Sequence, residues 1–119
     1  MDQLVNILCI KWGTRYPAPY VNFLYAGVRR HLKRPFRFVC CTDDARGLTA
    51  GIDPIPFPEN PGIKRGWPDV LVKLMVTQDG FGNLCGPTLF LDLDVAIMAD
   101  IGCFFDYEPG MNCIIHNWV

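Results

Sequence analysis

Two short apolar runs with a segment of helical period between them set the strongest limit on what this chain can fold into. Val5-Asn6-Ile7-Leu8-Cys9-Ile10 is mostly apolar and carries several β-branched residues, the pattern of a buried strand in a parallel sheet. A Gly/Pro-punctuated loop from Trp12 to Pro19 follows. Val21, Leu24, Tyr25, Val28 and Leu32 then recur at the spacing of one helix face. Arg29, Arg30 and Lys33 gather at the C-terminal end of that helix, where cations interact favourably with its dipole. Phe36 to Thr42 reads as the second strand. Strand, helix, strand in this order predicts a right-handed βαβ unit and an α/β fold.

Pro and Gly dominate the next stretch, Asp43 to Gly66, with a short strand expected at Ile55-Pro56-Phe57. Trp67-Pro68 opens a second predicted helix, with Val70, Leu71, Leu74 and Met75 on one face. A Gly-rich turn from Gly80 to Gly86 leads into Thr88-Leu89-Phe90-Leu91, the clearest strand in the chain, and Asn112 to His116 reads as the last one. A chain of 119 residues, half of them hydrophobic, fits a single domain with a real core. It closes on Trp118-Val119, directly after an apolar strand. That ending predicts a domain over residues 1–119 that is incomplete at its C-terminus; the alternative is the edge strand of a small complete fold.

Several function classes lose their footing on charge and patterning. A net charge of −1 gives no electrostatic reason to expect a nucleic-acid partner. No apolar run approaches the roughly 20 residues that span a bilayer, so no transmembrane segment is expected. The opening Met1-Asp2-Gln3 lacks a basic leader region, so a cytoplasmic protein is the simplest expectation. Six cysteines raise the possibility of disulfides or zinc, yet there is no C-x-x-C pair, and His31 and His116 stand at no zinc-like spacing from any cysteine. Cys9, Cys40 and Cys113 fall in apolar strand-like runs and are expected to be buried, reduced thiols.

Chemistry concentrates in Phe90-Leu91-Asp92-Leu93-Asp94. Two carboxylates two residues apart at the end of a buried strand are expected on the same face, because strand side chains alternate with period two. Open α/β sheets bind ligands beyond the carboxyl ends of their strands. Paired carboxylates there repel, and a divalent cation relieves the repulsion. All-oxygen ligands favour Mg²⁺ or Mn²⁺, whose remaining positions suit phosphate oxygens. The bland alternative is that one Asp caps the following turn and the other is solvated.

The segment Leu89-Phe90-Leu91-Asp92-Leu93-Asp94-Val95-Ala96-Ile97-Met98-Ala99-Asp100-Ile101 resembles the D-x-D strand of GT-A glycosyltransferases, especially the glycogenin-like family 8 group. Val70-Leu71-Val72-Lys73-Leu74 is similar to the helix whose lysine approaches the donor diphosphate in that group. The resemblance implies a Rossmann-like GT-A half-domain, a mostly parallel sheet flanked by helices, that binds a nucleoside diphosphate sugar. A UDP-sugar is favoured, with Mn²⁺ or Mg²⁺ as cofactor and an unidentified acceptor. It implies metal and diphosphate contacts for Asp92 and Asp94, with Leu93 between them, and a phosphate or sugar contact for Lys73, which otherwise reads as a solvated helix lysine. Tyr16 matches the base-stacking tyrosine, or simply packs on the surface; Trp12 and Thr14 belong to the same loop, and Arg65 is placed to reach phosphate. The short apolar run Val95-Ala96-Ile97-Met98 matches a short strand that follows the motif in the family.

The chain departs from the family in two places. Lys11-Trp12-Gly13 replaces the usual threonine-asparagine pair after the first strand, which leaves the base preference open. The downstream histidine of the family's metal site has no assignable match, and His116 reads as a strand residue. Asp43 and Asp44, directly after the second strand, read more naturally as turn caps than as ligands. Two other functions compete. In a haloacid-dehalogenase-like phosphatase Asp92 would be the nucleophile and Asp94 the general acid/base; that motif normally opens its fold, whereas here a βαβ unit precedes it. A non-catalytic nucleotide-binding remnant is the other.

Overall fold

The structure, a computed structural model, describes residues 4–57, 81–108, 110, 111 and 113. Among the described residues four parallel strands form one sheet: β1 (Val5–Lys11), β2 (Phe36–Thr42), β3 (Ile52–Ile55) and β4 (Thr88–Phe90). Their order is β3-β2-β1-β4, which leaves β1 in the interior with β2 on one side and β4 on the other. Helix α1 (Ala18–His31) connects β1 to β2, as the alternation of periods requires. A 3₁₀ turn (Phe81–Asn83) precedes β4, and a one-turn helix α2 (Cys103–Asp106) follows it. The α/β fold with a parallel sheet is as expected.

Helix α1 begins inside what reads as loop. Pro17 is its N-cap and Pro19 lies in its first turn, where the missing N–H is one that no helical carbonyl would accept. The helix buries Val21, Leu24, Tyr25 and Val28, the stripe its spacing marks out, and the Leu32 amide closes its end on the Val28 carbonyl at 2.8 Å. These side chains meet Val5, Ile7 and Cys9 of β1, Phe38 and Cys40 of β2, and Ile52 of β3 in the larger core. Leu91, Leu93, Ile101 and Phe105 complete it from beyond β4. Each large apolar side chain removed from water there contributes about 1.5–3 kcal/mol. The other sheet face buries Leu8, Val39 and Cys41 with Phe81.

Both buried faces of β1 and β2 explain why their sequences run apolar without alternation. One polar residue interrupts β1: the Asn6 amide is buried and donates to the Cys85 carbonyl at 2.8 Å and to Thr88 Oγ1 at 3.3 Å, which ties the start of β4 to the central strand.

The third strand lies earlier than expected, at Ile52–Ile55 instead of Ile55-Pro56-Phe57. Pro54 is inside it, paired with Cys40. A proline is tolerated there because β3 is an edge strand among the described residues. Val95 to Met98 forms no strand, although Val95 and Ile97 pack against the core. Ile97 comes to the surface of α1 at Gly27, where an added Cβ would lie 3.2 Å from Ile97 Cβ. Of the cysteines expected to be buried, Cys9 and Cys40 are, and Cys41 with them, whereas Cys113 is exposed outside any described strand. All six are free thiols. The helix expected from Trp67 and the strand expected over Asn112 to His116 are outside the described residues, apart from Cys113. No described helix is long and apolar enough to cross a membrane.

Candidate functional site

The order β3-β2-β1-β4 fixes where a ligand cleft is to be sought. From β1 the chain moves to β2 and β3 on one side, then returns to β4 on the other. The strand order therefore switches between β1 and β4, and α/β sheets bind ligands outside the carboxyl ends of the strands at such a point. At that end stand Lys11 and the loop Trp12 to Tyr16 after β1, Asp43 and Asp44 after β2, and Asp92 to Asp94 just past β4.

The two carboxylates do not sit on the strand itself. Regular β4 ends at Phe90, and the Leu91 amide extends the ladder by one bond, to the Leu8 carbonyl at 2.9 Å. Asp92 then opens a turn, its carbonyl accepting the Val95 amide at 3.3 Å. Asp favours that first turn position. Burial nonetheless alternates: Leu91 and Leu93 are in the core, Asp92 and Asp94 exposed. The core thus pins every second residue and leaves both carboxylates on the solvent side, although a turn and not strand pleating produces the result. Leu93 is buried, so its side chain takes no part in the surface around the aspartates.

The loop after β1 is tied to the loop after β2. The Gly13 amide donates to Asp43 Oδ2 at 3.1 Å, with Gly13 at φ +66°, a conformation glycine adopts without strain. Trp12 is 45% exposed and stands edge-on to Phe57, ring centroids 4.9 Å apart. Tyr16 is half-buried against the larger core, edge-on to Tyr20 at 5.1 Å, with the Arg15 guanidinium 5.6 Å from its ring. Trp12 is therefore the more open ring of the two. Thr14 is exposed in the same loop. Arg65 and Lys73 are outside the described residues.

Asp44 is committed elsewhere. Its carboxylate accepts Arg46 Nε at 3.0 Å, Arg46 Nη2 at 2.8 Å and the Arg46 amide at 3.0 Å, and its own amide donates to Thr42 Oγ1. The guanidinium contacts, foremost, hold the carboxyl below the usual carboxylate range. As expected, this aspartate shapes a turn.

Lys11, which the sequence marks only as the start of the Lys11-Trp12-Gly13 segment, is buried in the fold. It ends β1 and is only 5% exposed. Its signal lay in the alternation: Val5, Ile7, Cys9 and Lys11 occupy every second position, the first three in the core with α1, so the fourth position carries a charge where an apolar residue would continue the pattern. Its positive charge acts on the Cys40 thiol and the Asp44 carboxylate.

Two exposed carboxylates in one turn offer hard oxygen ligands of the kind Mg²⁺ and Mn²⁺ take, and phosphate or water oxygens would have to complete the shell. No cluster of three or more His, Cys, Asp or Glu side chains able to hold a metal occurs among the described residues. No protein-family model, curated protein or solved structure matches this chain.

Proposed function

We propose that this chain is the donor-binding half of a metal-dependent glycosyltransferase, which takes a nucleoside diphosphate sugar, favouring UDP, as its substrate. The observation that carries the reading is the pair Asp92 and Asp94, both exposed in the turn directly beyond β4, at the end of the sheet where the strand order reverses. The D-x-D resemblance of the surrounding segment supports the same assignment.

In this reading Asp92 and Asp94 hold Mn²⁺ or Mg²⁺ through carboxylate oxygens. The cation would neutralise charge on the diphosphate as it leaves. Trp12 offers the open aromatic face for the nucleobase, steadied by Phe57, while the Gly13–Asp43 hydrogen bond holds the loop that carries it. Lys73 and Arg65 are assigned to the phosphates on sequence likeness alone. The sugar leaves the diphosphate for an acceptor that this chain does not identify.

Titration calorimetry with UDP, with and without Mn²⁺, tests the reading beside a phosphatase assay. Metal-dependent UDP binding without phosphatase turnover supports the donor-site assignment. Phosphate release through a phosphorylated Asp92 would replace it with the dehalogenase-like alternative, and absence of both would leave no role for the D-x-D turn.

A further inference from the structure

A cavity of about 520 Å³ lies at the amino end of the sheet, away from the aspartate turn. Its wall includes Leu4 just before β1, Phe36 and Phe38 at the start of β2, and Gly51 just before β3. Helix α1 supplies Tyr25 and Arg29 from its C-terminal half. Small-molecule sites have volumes of roughly 300–1,000 Å³, so this one is large enough for a ligand of that class.

The floor is held in place by the core beneath it. Tyr25 and Phe38 are buried and meet edge-on, ring centroids 5.1 Å apart. Gly51 closes one side with backbone alone, because a Cβ there would lie 2.3 Å from Tyr25 Oη. Above this floor Phe36 is half-buried against the core, and Leu4 is an exposed leucine at the margin. A preformed apolar wall of this kind receives an apolar group without first being ordered.

Charge narrows the ligand further. Among the described residues the charged side chains that line the cavity are Arg29 and Arg37, both cationic. The Arg29 guanidinium carbon is 5.7 Å from the centre of the Tyr25 ring. Arg37 Nε donates to Asp53 Oδ2 at 2.7 Å and Nη2 donates to the same oxygen, which fixes this guanidinium on β2. Guanidinium groups keep their charge at any ordinary pH, match a carboxylate with a planar fork and stack on aromatic faces. A bare anion would leave the apolar wall without a role, and a neutral hydrophobe would leave the arginines without one. An aromatic ring that carries a carboxylate uses both.

We propose that this cavity is a second ligand site, which takes a small aromatic carboxylate with its ring on Leu4 and Phe36 and its charge at Arg29 and Arg37. It shares no residue with the donor site and needs neither metal nor nucleotide.

The test is titration of the isotope-labelled 119-residue chain with naphthylacetate, followed by amide chemical shifts. Naphthylacetamide, of the same shape without the charge, and inorganic phosphate are the comparison probes. Saturable shifts are expected at the Leu4, Phe36, Phe38 and Gly51 amides, with the carboxylate binding about tenfold or more tighter than the amide. Arg29→Gln, at an exposed helix position, is expected to remove most of that preference. Absence of shifts at these amides at about 10 mM naphthylacetate overturns the proposal. So does equal binding of carboxylate and amide, equal binding of phosphate, or a preference that Arg29→Gln leaves unchanged. Should that variant fail to fold, the three probes on the wild type decide alone.

Discussion

The Leu91 amide donates to the Leu8 carbonyl over 2.9 Å, one bond beyond the regular end of β4. That bond fastens the residue before Asp92 to β1, so the aspartate turn starts from a fixed point at the carboxyl end of the sheet. The turn beyond it is held by the alternating burial of Leu91 and Leu93. A site built this way combines a rigid base with two solvent-facing carboxylates, which suits a group that must meet both a cation and a substrate.

Trp12 is expected to act through its ring face. Replacing it by Ala removes a stacking surface that contributes about 1–3 kcal/mol per base. Weakening of uridine and UDP by the same factor, roughly tenfold, is the predicted result by titration. A loss restricted to UDP would show that the ring serves the phosphates instead.

Gly51 stands at φ +105°, and a Cβ added there would lie 2.3 Å from Tyr25 Oη. Tyr25 is edge-on to Phe38 in the core, which limits how far its ring can yield. Gly51→Ala is therefore expected to destabilise by about 1–3 kcal/mol from the backbone conformation alone, with the steric conflict adding to it. A urea midpoint that falls at unchanged m-value is the expected reading, and an unchanged midpoint would contradict it.

Cys41 is buried on the second sheet face, and burial pushes its thiol up to about 12. An unfolded cysteine titrates near about 8.5, so the folded state favours the neutral thiol. Its contribution to stability is fully present below that pH and is lost as pH rises toward 12. The urea midpoint is predicted to fall as pH is raised from 8 to 10.5, and to fall less in Cys41→Ala. In the native protein at pH 8, Cys85, Cys103 and Cys113 should react with a thiol reagent quickly, while Cys9, Cys40 and Cys41 stay protected. Fast labelling of all six would contradict the packing of both faces of the sheet.

The parts of this fold that were legible in the sequence are those governed by one period. The α1 stripe of Val21, Leu24, Tyr25 and Val28 and the strand Phe36–Thr42 follow from local pattern, because each buries the face its spacing defines. The register of β3 was not legible, because whether Pro54 breaks a strand depends on which edge of the sheet it occupies, a tertiary fact. The strand pleating expected to carry Asp92 and Asp94 stops short of them: β4 ends at Phe90, and both aspartates are exposed in the turn that follows. Lys11 was legible only as part of Lys11-Trp12-Gly13; its burial at the end of β1, paired with Thr42, was not, because it depends on the neighbouring strand.

The central claim is that the aspartate turn binds a divalent cation that grips a diphosphate, and Asp94→Asn tests it most directly. The substitution keeps size and removes one charge at an exposed position, so the unfolding free energy from urea titration should stay within about 0.5 kcal/mol of the wild type. Titration with UDP in Mn²⁺ is predicted to show affinity reduced by about tenfold or more, equivalent to at least about 1.4 kcal/mol, with no residual dependence on the metal. Metal-dependent UDP affinity equal to that of the wild type would contradict the account.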